Sequence, residues 1–281
     1  MTAVVVDQEY VPAGTGKVLL RRVAAPHEYT ECEVLQREIW GAGGMSPASL
    51  RDMVTAQHNG GLVLGAFTPD DELVGFVFSF PGIRDGLLMQ CSVVAAVRPS
   101  WQNLGIGLRL KHFQARLAAE AGFDLISWTF DPLSGRNARF NLNMLGAVGV
   151  EYLVNEYGVG FGLQAGLETD RVLVTWTLPP SGPALVLPHQ GGTPVNEFTV
   201  DSRRLPRPGD YTLSSTADTV LVQLPWNIYT ICNADRELAV RWRNTSRAIL
   251  GGYLGQGYHA IGIRPSSAAG MATHLLCRGR R

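Results

Sequence analysis

The sequence predicts an α/β fold built on a mixed sheet, followed by a smaller C-terminal α+β domain. Three observations predict it. Apolar runs of strand length alternate with stretches of helical spacing from residue 17 to 178, and a long apolar run at 87–97 passes through a glycine loop directly into a helix. The stretch Pro179-Pro180-Ser181-Gly182-Pro183 is the sharpest break in composition, so the expected division is 1–180 and 181–281.

The elements follow in order. KVLLRRVAA (17–25) reads as the first strand. Residues 27–40 place Val34, Leu35 and Ile39 near helical spacing, and Gly41 to Gly44 end that helix. Ser46-Pro47 is expected to start a second one, because serine caps exposed amides and proline fits a first turn. Two apolar runs, 61–67 and 72–80, flank Thr68-Pro69-Asp70-Asp71 and predict a hairpin. The long strand LLMQCSVVAAV (87–97) leads to Gly105-Ile106-Gly107. Beyond it Leu108, Leu110, Phe113, Leu117 and Ala118 mark a helix to Gly122. A strand at 123–130, a helix at 135–145 and strands at 148–156 and 171–178 complete the first part. In the second, 188–192 and 203–209 read as loop. A strand is expected at 219–224, a largely continuous helix at 226–250, and short strands at 258–264 and 274–277.

Composition narrows the function. The 281 residues are 46% hydrophobic and 17% charged, which is the reverse of a disordered chain. With 24 basic and 24 acidic residues the net charge is zero, which disfavours nucleic acid as a partner. No apolar run reaches the ~18–20 residues that span a bilayer, and no basic segment precedes an apolar one at the start. No membrane role and a cytoplasmic location are therefore expected. Cys32, Cys91, Cys232 and Cys277 are isolated from one another and from histidines, so no metal is expected.

The chemistry concentrates in Gln102-Asn103-Leu104-Gly105-Ile106-Gly107-Leu108-Arg109. Alternate glycines let backbone amides converge, and the following helix adds its N-terminal dipole, which together suit phosphate. Tight packing at a strand-to-helix turn is the competing explanation. The loop lacks the third glycine of a dinucleotide fingerprint and the Lys-Ser/Thr of a triphosphate loop.

A strand ending in Val97-Arg98-Pro99, then Gln102-x-x-Gly105-x-Gly107, a helix, a strand and a helix bearing Asn137 resembles the GCN5-related N-acetyltransferase (GNAT) superfamily over residues 17–178. The resemblance implies a GNAT-like acyltransferase fold and acetyl-coenzyme A or another acyl-coenzyme A as cofactor. By that likeness Gln102, Asn103, Leu104, Gly105, Ile106, Gly107 and Leu108 surround the pyrophosphate, and Ala95, Ala96 and Val97 meet pantetheine. Arg109 and Lys111 would add charge near the phosphates, a solvated helix face being the alternative. Asn137 and Asn141, four apart, would share a face toward pantetheine or the amine, with capping as the alternative for Asn137. A narrower likeness, in 129–147 and in the W-R-x-x-x-R run from Trp242 to Arg247, is to a little-characterised bacterial two-part subgroup with members that N-acylate or N-succinylate amino acids.

The implied activity is transfer of an acetyl or succinyl group to a small-molecule amine by direct attack on the thioester. The alternatives are another coenzyme A reaction, such as O-acyl transfer or decarboxylation, and a non-catalytic acyl-coenzyme A sensor. The superfamily's usual tyrosine acid is absent, since Met144 or Leu142 stands in its place. Tyr152 and Tyr157 are the replacement candidates, with Asp131 as a proton acceptor or helix cap. Gln90, Ser92, Ser127 and Thr129 are polar residues on strands and so candidates for contact with substrate. Arg136, Arg241 and Arg247, with Arg139 and Arg243, are candidates for a carboxylate on substrate or acyl group, internal salt bridges being the alternative. Glu38, Glu156 and His112 are weaker candidates. A homodimer is compatible with all of this.

Overall fold

A computed structural model of the chain describes residues 7–14, 16–41, 46–159, 166–180, 191–266 and 270–279. Two compact units are present, Met1–Trp128 with Thr177–Ser181, and Thr129–Trp176 with Gly182–Arg281. Ser181 to Pro183, Pro188 to Gln190 and Ala42 to Gly44 lie outside the described residues.

The first unit holds β1 (Gln8–Ala13), β2 (Gly16–Arg22), α1 (Pro26–Trp40), α2 (Leu50–His58), β3 (Leu62–Phe67), β4 (Leu73–Arg84), β5 (Leu87–Val97), a 3-10 turn (Pro99–Trp101) and α3 (Ile106–Glu120). β6 (Leu125–Phe130) begins in this unit and ends in the other. The strands run β1-β2-β3-β4-β5-β6, antiparallel up to β5 and parallel between β5 and β6. β1 was not foreseen, and β4 runs four residues beyond the expected 80. α2 starts later than Ser46-Pro47, because Ser49 accepts from the Asp52 amide while Asp52 accepts from the Ser49 amide, a capping box three residues further on. α1 begins as expected, with Glu28 gathering the Ala24 and Ala25 amides at 2.7 and 3.1 Å.

β3 is buried along its whole length, as a strand covered on both faces must be. On one face α1 and α2 bury Tyr29, Cys32, Leu35 and Met53 against Phe76, Phe78, Val94 and Ala96. On the other lies α3, close enough that a Cβ on Gly75 would sit 3.4 Å from Leu110.

The second unit holds α4 (Gly135–Ala138), a π-helical turn (Arg139–Met144), β7 (Val148–Leu153), β8 (Arg171–Thr177), β9 (Thr193–Pro194), β10 (Asn196–Val200), β11 (Pro206–Tyr211), β12 (Thr219–Pro225), α5 (Ile228–Ala234), α6 (Arg236–Gly255), β13 (Tyr258–Pro265) and β14 (Met271–Arg278). Its strands run β8-β7-β13-β14-β12-β9, and β10 pairs with β11. β11 thus replaces much of the loop expected at 203–209, and β9 and β10 fall where no strand was expected. Asn196 explains one of them, since its side chain both donates to the Gln223 carbonyl and accepts from the Gln223 amide, as a strand partner would. The expected continuous helix is broken at Asp235, which leaves helical dihedrals (φ −160°) and caps α6 by accepting from the Leu238 amide. Trp242 on α6 is fully buried, its indole N–H donating to the Pro206 carbonyl at 2.7 Å.

Candidate functional site

The first unit's candidate site begins with a change of face in β5. Phe78 opposes Val94 and Ser79 opposes Ser92, so Val93 is an extra residue with no partner on β4. Before the bulge, Ser92 points to α3; after it, Val94 and Ala96 point into the α1 and α2 core. The ladder to β6 pairs Met89, Gln90 and Cys91 with Leu125, Ile126 and Ser127 and stops there. From Ser92 onward β5 and β6 part.

Beyond Val97 the chain turns through Pro99–Trp101, and Gln102 donates its side-chain N–H back to the Val97 carbonyl at 3.0 Å. Asn103 (φ 63°) and Gly105 (φ 81°) both take left-handed backbone, the second as N-cap of α3. Such a cap is cheap only for glycine. The first amides of a helix lack intrahelical partners, and no acidic side chain fills the first turn of α3. Gly105 and Arg109 line an open recess of about 340 Å³ with Glu9, Val11, Leu108 and His112. Arg109 Nε is buried and has no hydrogen-bond partner, and a Cβ on Gly105 would lie 3.9 Å from it. Free amides and an unsatisfied guanidinium nitrogen together are a chemical match to a phosphate.

The remaining expectations divide. Ala95, Asn103, Leu104 and Gly105 are exposed, Val97, Gln102, Gly107, Leu108 and Arg109 half-buried, and Ala96 and Ile106 buried. Asn137 and Asn141 do not share a face: the π-helical turn starts between them, leaving Asn137 exposed and Asn141 buried. Gln90 is turned inward, accepting from Ser79 Oγ at 2.7 Å and donating to the Gly60 carbonyl at 2.8 Å. Ser127 is buried. Lys111 is neither near-phosphate charge nor solvated helix face. It is 2% exposed, with Nζ 3.0 Å from Ser92 Oγ and 2.7 Å from Gln114 Oε1, over the Trp128 ring at 4.0 Å. His112 is exposed, and Glu38 lies 3.5 Å from Arg98.

In the second unit the charged candidates are largely paired with each other. Asp131 and Arg243 form a bidentate pair at 2.8 and 2.8 Å, both side chains 3% exposed. The Leu133 amide and the Tyr229 hydroxyl also donate to Asp131. Burial raises the Asp131 pKa, but Arg243 outweighs it and holds the carboxyl below its ordinary value. A carboxylate this occupied accepts protons poorly. Tyr152 donates to Asp170 Oδ2 at 2.9 Å, and burial, then the Asp170 charge, raises its pKa. Arg247 is committed to Asp170, at 3.0 and 2.8 Å, and to Glu168. Arg136, Arg139 and Arg241 are exposed, as is Glu156. Tyr157 is exposed, its hydroxyl 3.1 Å from Thr129 Oγ1.

What sequence reasoning missed is the bulge at Val93, the unsatisfied Arg109 nitrogen and the buried setting of Lys111. One signal for the last was present: Lys111 lies between Leu110 and Phe113, and Gln114 is one turn on. Among the described residues no group of three or more His, Cys, Asp or Glu is placed to hold a metal, and no helix is long and apolar enough to cross a membrane.

No family model matches the sequence, and no curated protein matches it. Among solved structures the chain is similar to a GNAT-family acetyltransferase from Streptococcus pneumoniae, at 14% identity and TM-score 0.47 over 57% of this chain and 99% of that one. It is also similar to the ribosomal-protein-S18-alanine N-acetyltransferase of Escherichia coli (13%, TM-score 0.45, 60% and 98%). A third likeness is to a GNAT-superfamily phosphinothricin acetyltransferase from Sinorhizobium meliloti, solved with acetyl-coenzyme A (17%, TM-score 0.43, 60% and 94%).

Proposed function

We propose that the protein is an acyl-coenzyme A-dependent N-acyltransferase of the GCN5-related type, acting on a small-molecule amine, with an amino acid as the acceptor class. Residues 1–180 would carry the transfer and 181–281 would be accessory. Four cysteines without disulfides fit a reducing, cytoplasmic setting.

One connected feature carries the reading. β5 bulges at Val93, parts from β6 after Cys91, and ends in a loop whose left-handed Gly105 opens α3 beside an unpartnered Arg109 Nε. The amides of Ile106, Gly107 and Leu108 would hold the pyrophosphate, and Arg109 would add a charge-assisted hydrogen bond. The edge of β5 from Val93 to Val97, past its ladder to β6, offers backbone groups to an extended arm as one strand does to another.

The thioester supplies an acyl carbon already activated toward amines. The tasks left to the chain are alignment, keeping the amine neutral, and returning a proton to the departing thiolate.

The test is calorimetric titration with acetyl-coenzyme A and free coenzyme A, followed by assay of thiol release with amino acid acceptors. Gly105→Val, strained at φ 81°, and Arg109→Ala should each weaken both ligands at least about tenfold. Absence of binding by the wild type would overturn the proposal. Binding without thiol release on any amine would leave a sensor.

A further inference from the structure

Lys111 is the buried ionisable group that the phosphate loop leaves unexplained. Its three partners, Ser92, Gln114 and the Trp128 ring, are all neutral, and among the described residues no carboxylate pairs with it. Burying an ammonium without a counter-charge is costly, and burial lowers its pKa to about 7. Yet the surroundings are arranged for a cation. Two oxygens accept from it and an aromatic face lies under it, the geometry of a cation–π contact. What these surroundings lack is an anion.

Its location says where that anion would come from. Ser92 follows Cys91, the last β5 residue paired with β6, and Trp128 follows Ser127, the partner of Cys91. Nζ therefore sits where the two strands separate, beside the bulge at Val93. The end of that ladder borders the same β5 edge assigned above to the extended arm.

We propose that Lys111 forms the floor of the acyl subsite, and that the acyl group it accepts ends in a carboxylate: the thioester of a short dicarboxylic acid. This rests on the proposed acyltransferase function and names its donor class. An entering carboxylate accepts a hydrogen bond from Nζ and supplies the missing charge, while Ser92 and Gln114 keep the amine in place. An uncharged acyl chain of equal length leaves the ammonium uncompensated. The arginine that would otherwise fill this role, Arg247, already has Asp170 and Glu168. A lysine also suits the task, being a compact point charge.

The experiment titrates the full chain with free, acetyl-, butyryl- and succinyl-coenzyme A, the last two being matched in chain length. We expect succinyl-coenzyme A to bind at least about tenfold tighter than butyryl-coenzyme A. Lys111→Met should erase that preference by weakening the succinyl form, with butyryl affinity held within about threefold. Lys111→Gln, neutral but still hydrogen-bonding, should behave as Lys111→Met does, and it replaces that variant if the latter fails to fold. Equal affinity of the wild type for the two matched thioesters overturns the inference, as does equal weakening of both by the variants. If free coenzyme A and all three thioesters fail to bind, the acyltransferase reading falls and takes this one with it. If they bind alike, only the charged subsite falls.

Discussion

Asp131 and Lys111 are two buried charges resolved in opposite ways. Asp131 has its counter-charge inside the fold: Arg243 meets it with two bonds of 2.8 Å, and the Leu133 amide and Tyr229 hydroxyl use further lone pairs. Taking two ions out of water is expensive, so such a pair adds little net stability while making each member dependent on the other. Asp131→Ala should therefore cost about 3–5 kcal/mol, because it strands a guanidinium that is 3% exposed. Removing both charges together, as Asp131→Leu with Arg243→Met, should recover most of that loss, and urea unfolding of the three variants measures it. If the double variant were as unstable as the single one, the pair would be doing more than neutralising itself. Lys111 has only neutral partners among the described residues, so its burial is not compensated in the same way.

At the scale of elements, β5 decides what the first unit can bind. Its sequence, LLMQCSVVAAV, is legible as a strand because it is apolar and β-branched, and the glycine loop and amphipathic α3 follow it just as legibly. The bulge is not legible, since no glycine, proline or asparagine marks Val93, and only the register with β4 reveals the extra residue. The same limit explains the other departures. Asn137 and Asn141 sit at helical spacing, but the turn between them is wound with bonds such as Leu145 to Phe140, five residues apart. β11 contains two prolines and a glycine and reads as loop, although pairing with β10 makes it a strand. Deleting Val93 tests the bulge directly. Without it Ser92 and Val94 become neighbours opposite Ser79 and Phe78, so ordinary alternation keeps Ser92 against α3 and Val94 and Ala96 in the α1 and α2 core. We expect the deletion variant to keep cooperative thermal unfolding and native near-ultraviolet circular dichroism while weakening coenzyme A binding, because only the irregularity of the β5 edge is removed. A deletion variant with lost dichroism or non-cooperative melting would show that the fold itself needs the extra residue.

For the molecule as a whole, composition foretells the charge balance and the mixed α/β character, but not which segments pack together. The proline-rich break at 179–183 is the loudest signal in the sequence, yet β7 and β8 pack with the C-terminal strands through β7 and β13. That pairing depends on partners more than 100 residues apart, and local pattern carries no record of it. Acid stability is likewise a long-range property, set by which titratable groups the packing buries. His274 stands on β14 opposite Val222 on β12 and Ile263 on β13, 1% exposed, with no hydrogen-bond partner for Nε2. Burial lowers its pKa to about 4, below the ~6.5 of an unfolded histidine. The unfolded chain therefore binds more protons between these values, so stability is full above pH ~6.5 and falls as the pH drops toward 4. The ceiling on this one group is about 3 kcal/mol. Asp131 is held below its usual range, so the stability tied to it is lost only at lower pH, which separates the two in a titration. His274→Leu should therefore flatten unfolding free energy between pH 6.5 and 4.5 relative to the wild type, measured by urea denaturation at half-unit steps. Parallel curves for the two proteins would place the acid sensitivity on other groups and leave His274 a packing residue alone.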